Sequence, residues 1–241
     1  MKKSLIAILL IFTIALSGCT IYMTTGSGTL VEENRSVSNV EAVQFTSVGQ
    51  LTIVQGDSES LVVEAEDNII SHITTEMEGS TLVIGFDDGA DNMVTPTRMI
   101  TYTLTVTDLH DIELSGAGNI SMDELTADDV TIRLSGAGNI DIGTLTATTI
   151  TVSLPGAGNI SINGTVNEEE LELSGFGNYN AHDLQASVAN VNVSGAGNAS
   201  VWVTDTLNVG ISGAGSVEYY GTPDITQSIS GVGVLNSRGN K

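Results

Sequence analysis

The chain is poor in positive charge. Its 241 residues carry 7 Lys and Arg against 29 Asp and Glu, a formal net charge of −22. Such a surface repels phosphate backbones, which excludes nucleic acid as a partner class. Cysteine is almost absent. Cys19 is the only one, so no disulfide can form within the chain. The three histidines, His72, His110 and His182, lie far apart in sequence. There is no HExxH, CxxC or GxSxG, so the common signatures of metal, redox and acyl-transfer chemistry are missing. No catalytic residue, metal or cofactor is expected. No stretch has helical spacing, and the one long apolar run, Leu5 to Leu16, is too short to span a bilayer.

What is present is a repeat. A five-residue phrase, Ser115-Gly116-Ala117-Gly118-Asn119, returns at 135–139, 155–159, 174–178, 194–198, 212–216 and 230–234. Its first glycines are Gly116, Gly136, Gly156, Gly175, Gly195, Gly213 and Gly231, in steps of 20, 20, 19, 20, 18 and 18 residues. A fixed period of this length marks a stacked repeat. Between phrases the apolar residues alternate, as in Ile120 and Met122, then Val130, Ile132 and Leu134. That is the strand period. About 20 residues cannot bury an apolar face alone, so each repeat must cover its neighbour. The columns Leu114-Leu134-Leu154-Leu173-Val193-Ile211-Ile229 and Ile120-Ile140-Ile160-Tyr179-Ala199-Val217 then point inward. The expectation is an all-β, right-handed parallel β-helix, a solenoid of coils of 18–20 residues with glycine corners.

Glycines at the corners would supply positive φ where no side chain fits. The Asn that closes each phrase can stack into an amide ladder. Calcium binding of the nonapeptide kind is excluded, because Ile120, Ile140 and Ile160 occupy the ligand Asp position. The acidic stretch Asp87 to Asn92 lacks the spacing of a calcium loop and reads as solvated.

Lys2 and Lys3 precede the apolar run, which ends Leu16-Ser17-Gly18-Cys19. This reads as a secretory signal over residues 1–18. The ending resembles the lipobox of bacterial lipoproteins, which implies a lipidated Cys19 and membrane attachment through that anchor. Thr20, not Asp, follows the cysteine and favours the outer membrane or cell surface. Removal of Lys2 and Lys3 leaves 5 basic and 29 acidic residues, a net charge of −24. Residues 19–36 read as a polar tether. Residues 37–241 read as one β-helical domain, with repeats from about 110 to 236.

Outward positions on one strand column are Thr131 and Arg133, Thr151 and Ser153, Glu170 and Glu172, Asn190 and Asn192, Asn208, Thr226 and Ser228. Stacking makes them parallel rows on a flat face. Short hydroxyls and amides lose little entropy when covered and offer both donors and acceptors. The residues Thr131, Arg133, Thr151, Ser153, Asn190, Asn192, Asn208 and Ser228 are therefore the candidate binding face, for a surface glycan or an envelope protein. Arg133 lies one coil above Glu113, so an ion pair is expected. His182 and Asp183 are neighbours on a strand, which should point to opposite sides.

The repeated Ser-Gly-Ala-Gly-Asn-Ile, the closing Ser212 to Pro223, and the front strands Val43 to Gly56 and Leu61 to Asn68 resemble the head GIN domain family over residues 37–236. Its members are bacterial envelope proteins described as auto-transporter adhesins. The resemblance implies a β-helical, often lipid-anchored envelope protein and supplies no catalytic residues. The reading is thus a non-enzymatic adhesin-like rod. The alternatives are a carbohydrate-active β-helix enzyme, which would need a groove of carboxylates with perturbed pKa values, and an ice-binding face. The Thr rank 101 to 107 suits ice, but the later coils turn to Glu and Asn.

Overall fold

The computed structural model describes residues 22–87 and 92–241. Strands dominate it, and the only helical turn among the described residues is the 3₁₀ segment Ile70–His72. Seventeen strands join into one hydrogen-bonded ladder, and from Asp111 onward every pairing in it is parallel. This is a β-helix. Each coil places a strand before the glycine phrase (Asp111–Leu114, Asp129–Leu134) and a longer one after it (Ala117–Thr126). The expected inward columns are in register: Leu173 lies beside Val193, and Ile160 beside Tyr179. All their members are buried except Ile229, which lies in the last coil and is 41% exposed.

The front of the chain joins the same stack out of sequence order. The coil Ala42–Phe45 and Val48–Gln55 lies between two others. On one side are Thr81–Phe86 and Thr101–Val106, on the other Asp111–Leu114 and Ala117–Thr126. Phe45 and Leu51 thereby extend the two inward columns, followed by Ile84 and Tyr102. Tyr102 packs edge-on against Phe45 with ring centroids 5.2 Å apart, and its hydroxyl bonds to buried Ser47 at 2.8 Å. Nine layers at about 4.8 Å spacing make a rod roughly 38 Å long.

Antiparallel strands close the front end. Ser60–Glu66 covers Thr101–Val106, Leu30–Arg35 covers Ser60–Glu66, and Ile73–Glu78 covers Thr81–Phe86. Covering an edge in this way removes a template for unwanted pairing. It also corrects the tether reading where the structure describes that stretch, over residues 22–36. Tyr22–Thr25 pairs with Asn92–Thr95, and Leu30–Arg35 is part of the cap. The Arg35 guanidinium donates to the carbonyls of Ile70 and Ile73 at 3.2 and 3.1 Å, which fastens that strand to the body. Cys19 and residues 88–91 of the acidic stretch lie outside the described residues.

The corner glycines have a different physical reason from the one expected. None of Gly116, Gly136, Gly156, Gly175, Gly195 and Gly213 has a φ in the left-handed range. What each needs is closeness. A Cβ on any of them would lie 2.0–2.3 Å from a carbonyl oxygen of the coil below. At Gly136 that oxygen belongs to Gly116, which also accepts the Ala137 N–H at 2.9 Å. The corner is a place where backbone stacks directly on backbone.

Candidate functional site

Two polar faces run along the rod. The first is the one expected from the sequence, and the register assembles it. Thr131 pairs with Thr151, Thr151 with Glu170, Glu170 with Asn190, and Asn190 with Asn208. Beside this row run Arg133, Ser153, Glu172, Asn192, Gly210 and Ser228. Arg133 meets Glu113 at 3.6 Å and donates to Ser153 Oγ at 3.2 Å. Asn208 Nδ2 donates to Asn190 Oδ1 at 2.9 Å. Gly210 contributes no side chain, which leaves a dent of about 260 Å3 bordered by Asn192, Asn208 and Ser228. The face is therefore cut into an ion-paired end, an acidic middle and an amide end.

The second face was legible only as a structural ladder. After each corner the closing Asn points outward, and the amides bond in series. Asn139 Nδ2 donates to Asn119 Oδ1, Asn159 to Asn139, Asn178 to Asn159 and Asn198 to Asn178, at 2.9–3.0 Å. Ser216 Oγ ends the series on Asn198 at 2.6 Å. Two residues on, the outward column reads Ser121, Asp141, Ser161, Asn180, Ser200 and Glu218. Between them these columns line a shallow trough of about 720 Å3, from Asn139 and Asp141 to Ser216 and Glu218. Each ladder amide from Asn139 to Asn198 spends one N–H and one lone pair on its neighbours. One N–H and one lone pair remain for a ligand. The sequence signal for this face is the period-2 position after Asn119, Asn139 and Asn159.

A carboxylate stands at each end of the trough, Asp141 and Glu218. Arg238 pairs with Glu218, and that hydrogen bond holds the Glu218 carboxyl below its usual range. The raised carboxyl among the described residues is Glu169, which burial pushes up to about 7 against the opposing pull of the Tyr179 hydroxyl. Glu169 sits in the core, in the column of Ile150 and Ala189, on neither face. Neither of its oxygens, nor the Tyr179 hydroxyl, makes a hydrogen bond of ordinary geometry. Among the described residues no group of three or more His, Cys, Asp or Glu is placed to hold a metal.

His182 and Asp183 correct a sequence expectation. They do meet, with Nε2 and Oδ2 3.0 Å apart. The strand is irregular there: Ala181 pairs with Val201, but Gln185 pairs with Trp202. The residues between form a bulge, and two successive side chains turn outward.

Solved structures share this fold. A "putative adhesin" from Bacteroides fragilis superposes with a TM-score of 0.85 at 27% identity, over 88% of this chain and 99% of that one. A "putative lipid binding protein" from Parabacteroides distasonis gives 0.73 at 24% identity, over 90% and 99%. A "putative adhesin" from Parabacteroides merdae gives 0.72 at 19% identity, over 89% and 98%. Among curated proteins none matches. Residues 39–223 match the model of the family described as "Putative auto-transporter adhesin, head GIN domain", and the chain belongs to that family.

Proposed function

We propose that this protein is a lipid-anchored, non-enzymatic adhesin of the cell envelope that holds a glycan along the amide trough. The observation that carries the reading is the bonded ladder from Asn119 to Ser216. Its amides are ordered before any ligand arrives, so little side-chain entropy is lost on binding. They present the same donor and acceptor once per layer, about 4.8 Å apart. A polymer with repeating hydroxyls can satisfy several rungs at once, and weak contacts then add by multivalency. The family name and the adhesin neighbours support an envelope role. The signal over residues 1–18 and the lipobox ending at Cys19 support the anchor.

The experiment compares two filled surfaces. Ser161→Arg with Ser200→Arg blocks the trough. Asn192→Lys with Asn208→Lys and Ser228→Lys alters the other candidate face. Each purified variant is screened on a glycan array and coated on beads for attachment, after melting is found unchanged. The trough pair should abolish binding and the triple variant should not. Loss only in the triple variant would move the site to the first face. Binding retained by both would end the adhesin reading of either surface. Separately, Cys19→Ser should accumulate as unprocessed precursor, and normal maturation of that variant would exclude the anchor.

A further inference from the structure

One outward column of the rod changes character near its end. It reads Thr126, Thr146, Thr165 and Gln185, then Trp202 and Tyr220. Trp202 is the sequence's single tryptophan. The bulge at 182–184 lies beside the second of these rings. The His182 and Tyr220 rings are 6.2 Å apart. The Lys241 ammonium sits 5.2 Å from the Trp202 ring centroid and 5.4 Å from that of Tyr220. It donates to the His182 carbonyl at 2.6 Å and pairs with the Asp183 carboxylate. Two aromatic faces, a carboxylate and a carbonyl thus converge on one cation. Each of these is a recognised partner of an ammonium group.

We propose that Trp202, Tyr220, His182 and Asp183 form a receptor for a primary alkylammonium group, which Lys241 fills from within the chain and a ligand amine takes by displacing it. The site is open to exchange, since the Asp183 and His182 side chains keep 51% and 39% of their exposure. A simple surface ion pair would need only Asp183 and would be weak. It would not explain why the Thr column gives way to two large rings beside the bulge at 182–184. The chain's −22 charge concentrates cations at its surface. The carbonyl and carboxylate accept N–H bonds, so the receptor favours primary over quaternary ammonium. None of the four residues lines the trough, so the inference does not depend on the glycan reading.

The test uses the whole protein and its Lys241→Ala variant, with Lys241→Gln as a second form that keeps the side-chain stem. Butylammonium chloride is titrated at constant ionic strength while Trp202 fluorescence is read. Both variants should give a saturable change, and the wild type should need about tenfold more amine because Lys241 competes. Asp183→Asn in the Lys241→Ala background should weaken binding about tenfold. Tetramethylammonium should bind less well than butylammonium. The proposal is overturned if neither Lys241 variant gives a saturable change, if Asp183→Asn binds equally well, or if the two cations act alike.

Discussion

The Thr97 hydroxyl donates to Glu66 Oε1 at 2.5 Å, and the Thr97 N–H donates to Oε2 at 2.8 Å. Gly28 N–H adds a third bond at 2.6 Å and Arg98 N–H a fourth at 3.2 Å. One buried carboxylate thus ties the first strands, the cap and the segment before Thr101 together. Burial alone would raise its pKa. The bonds from the Thr97 side chain and from the Thr97, Gly28 and Arg98 backbones outweigh that and hold Glu66 down at about 2. A folded pKa below the ordinary 4.5 stabilises the protein above pH 4.5. That contribution is lost as pH falls from 4.5 toward 2. Glu66→Gln should therefore loosen the cap at pH 6 and flatten the acid side of the stability curve. Hydrogen exchange of residues 26–35 and melting at pH 3 and 6 check this; an unchanged acid slope in the variant would contradict it.

The corners give a sharper contrast. Gly136→Val would force a Cβ to 2.1 Å from the Gly116 carbonyl oxygen, and that backbone is clamped between coils. It should cost about 3 kcal/mol or more. Arg133→Ala, only three residues away in sequence, removes an exposed ion pair and should cost about 1 kcal/mol at most. Comparable melting shifts for the two would contradict direct backbone stacking as the role of the corner.

The 20-residue period and the inward columns were legible because stacking repeats one environment at one position. The front of the chain was not. Its corner reads Thr46-Ser47-Val48-Gly49-Gln50, and the register sets Gly49 beside Gly118 and Gln50 beside Asn119. Gly49 has φ +107 and lies against the Ile100 carbonyl, so it keeps the glycine requirement while the rest of the phrase has drifted. Nothing local to residues 42–55 says that their layer lies beneath residues 111–126 with residues 81–106 on its other side. The bulge at His182 escaped because alternation assumes an unbroken strand. Glu169 escaped for the opposite reason. Alternation from Leu171 and Leu173 places it inward, but the run Glu168-Glu169-Glu170 reads as solvated charge. The trough required the outward columns to be read as a surface, which needs the curvature of the coil and not its sequence.

The ladder should behave rung by rung. Asn159 donates to Asn139 and accepts from Asn178, so Asn159→Leu breaks two bonds. Among the ladder bonds Asn119 only accepts one, from Asn139. At about 0.5–1.5 kcal/mol net per hydrogen bond, Asn159→Leu should cost roughly twice what Asn119→Leu costs. Denaturant midpoints of the two variants test this. Equal losses would mean that the amides are spectators to the backbone stacking beneath them.

Glu169 supplies the last prediction, and its sign is opposite to that of Glu66. It is fully buried, its column neighbours are Ile150 and Ala189, and its carboxyl is raised to about 7. The small Ala189 beside it, like Ala199 beside Tyr179, makes room for the larger group. In the unfolded chain the group ionises near 4.5. Between pH 4.5 and 7 the folded form keeps a proton that the unfolded form has released. Stability from this group is therefore greatest below pH 4.5, falls as pH rises through that window, and is level above it. The loss amounts to about 3 kcal/mol at 1.36 kcal/mol per pKa unit. Glu169→Leu fills similar volume without a charge. It should raise the melting temperature at pH 8, raise it less at pH 4.5, and remove the slope between them. Buried carboxyls of this kind cost most when ionised without a partner, and Glu169 has none of ordinary hydrogen-bond geometry. If Glu169→Leu is less stable than the wild type at pH 8, the carboxylate has a compensating partner in solution and this account of the core is wrong.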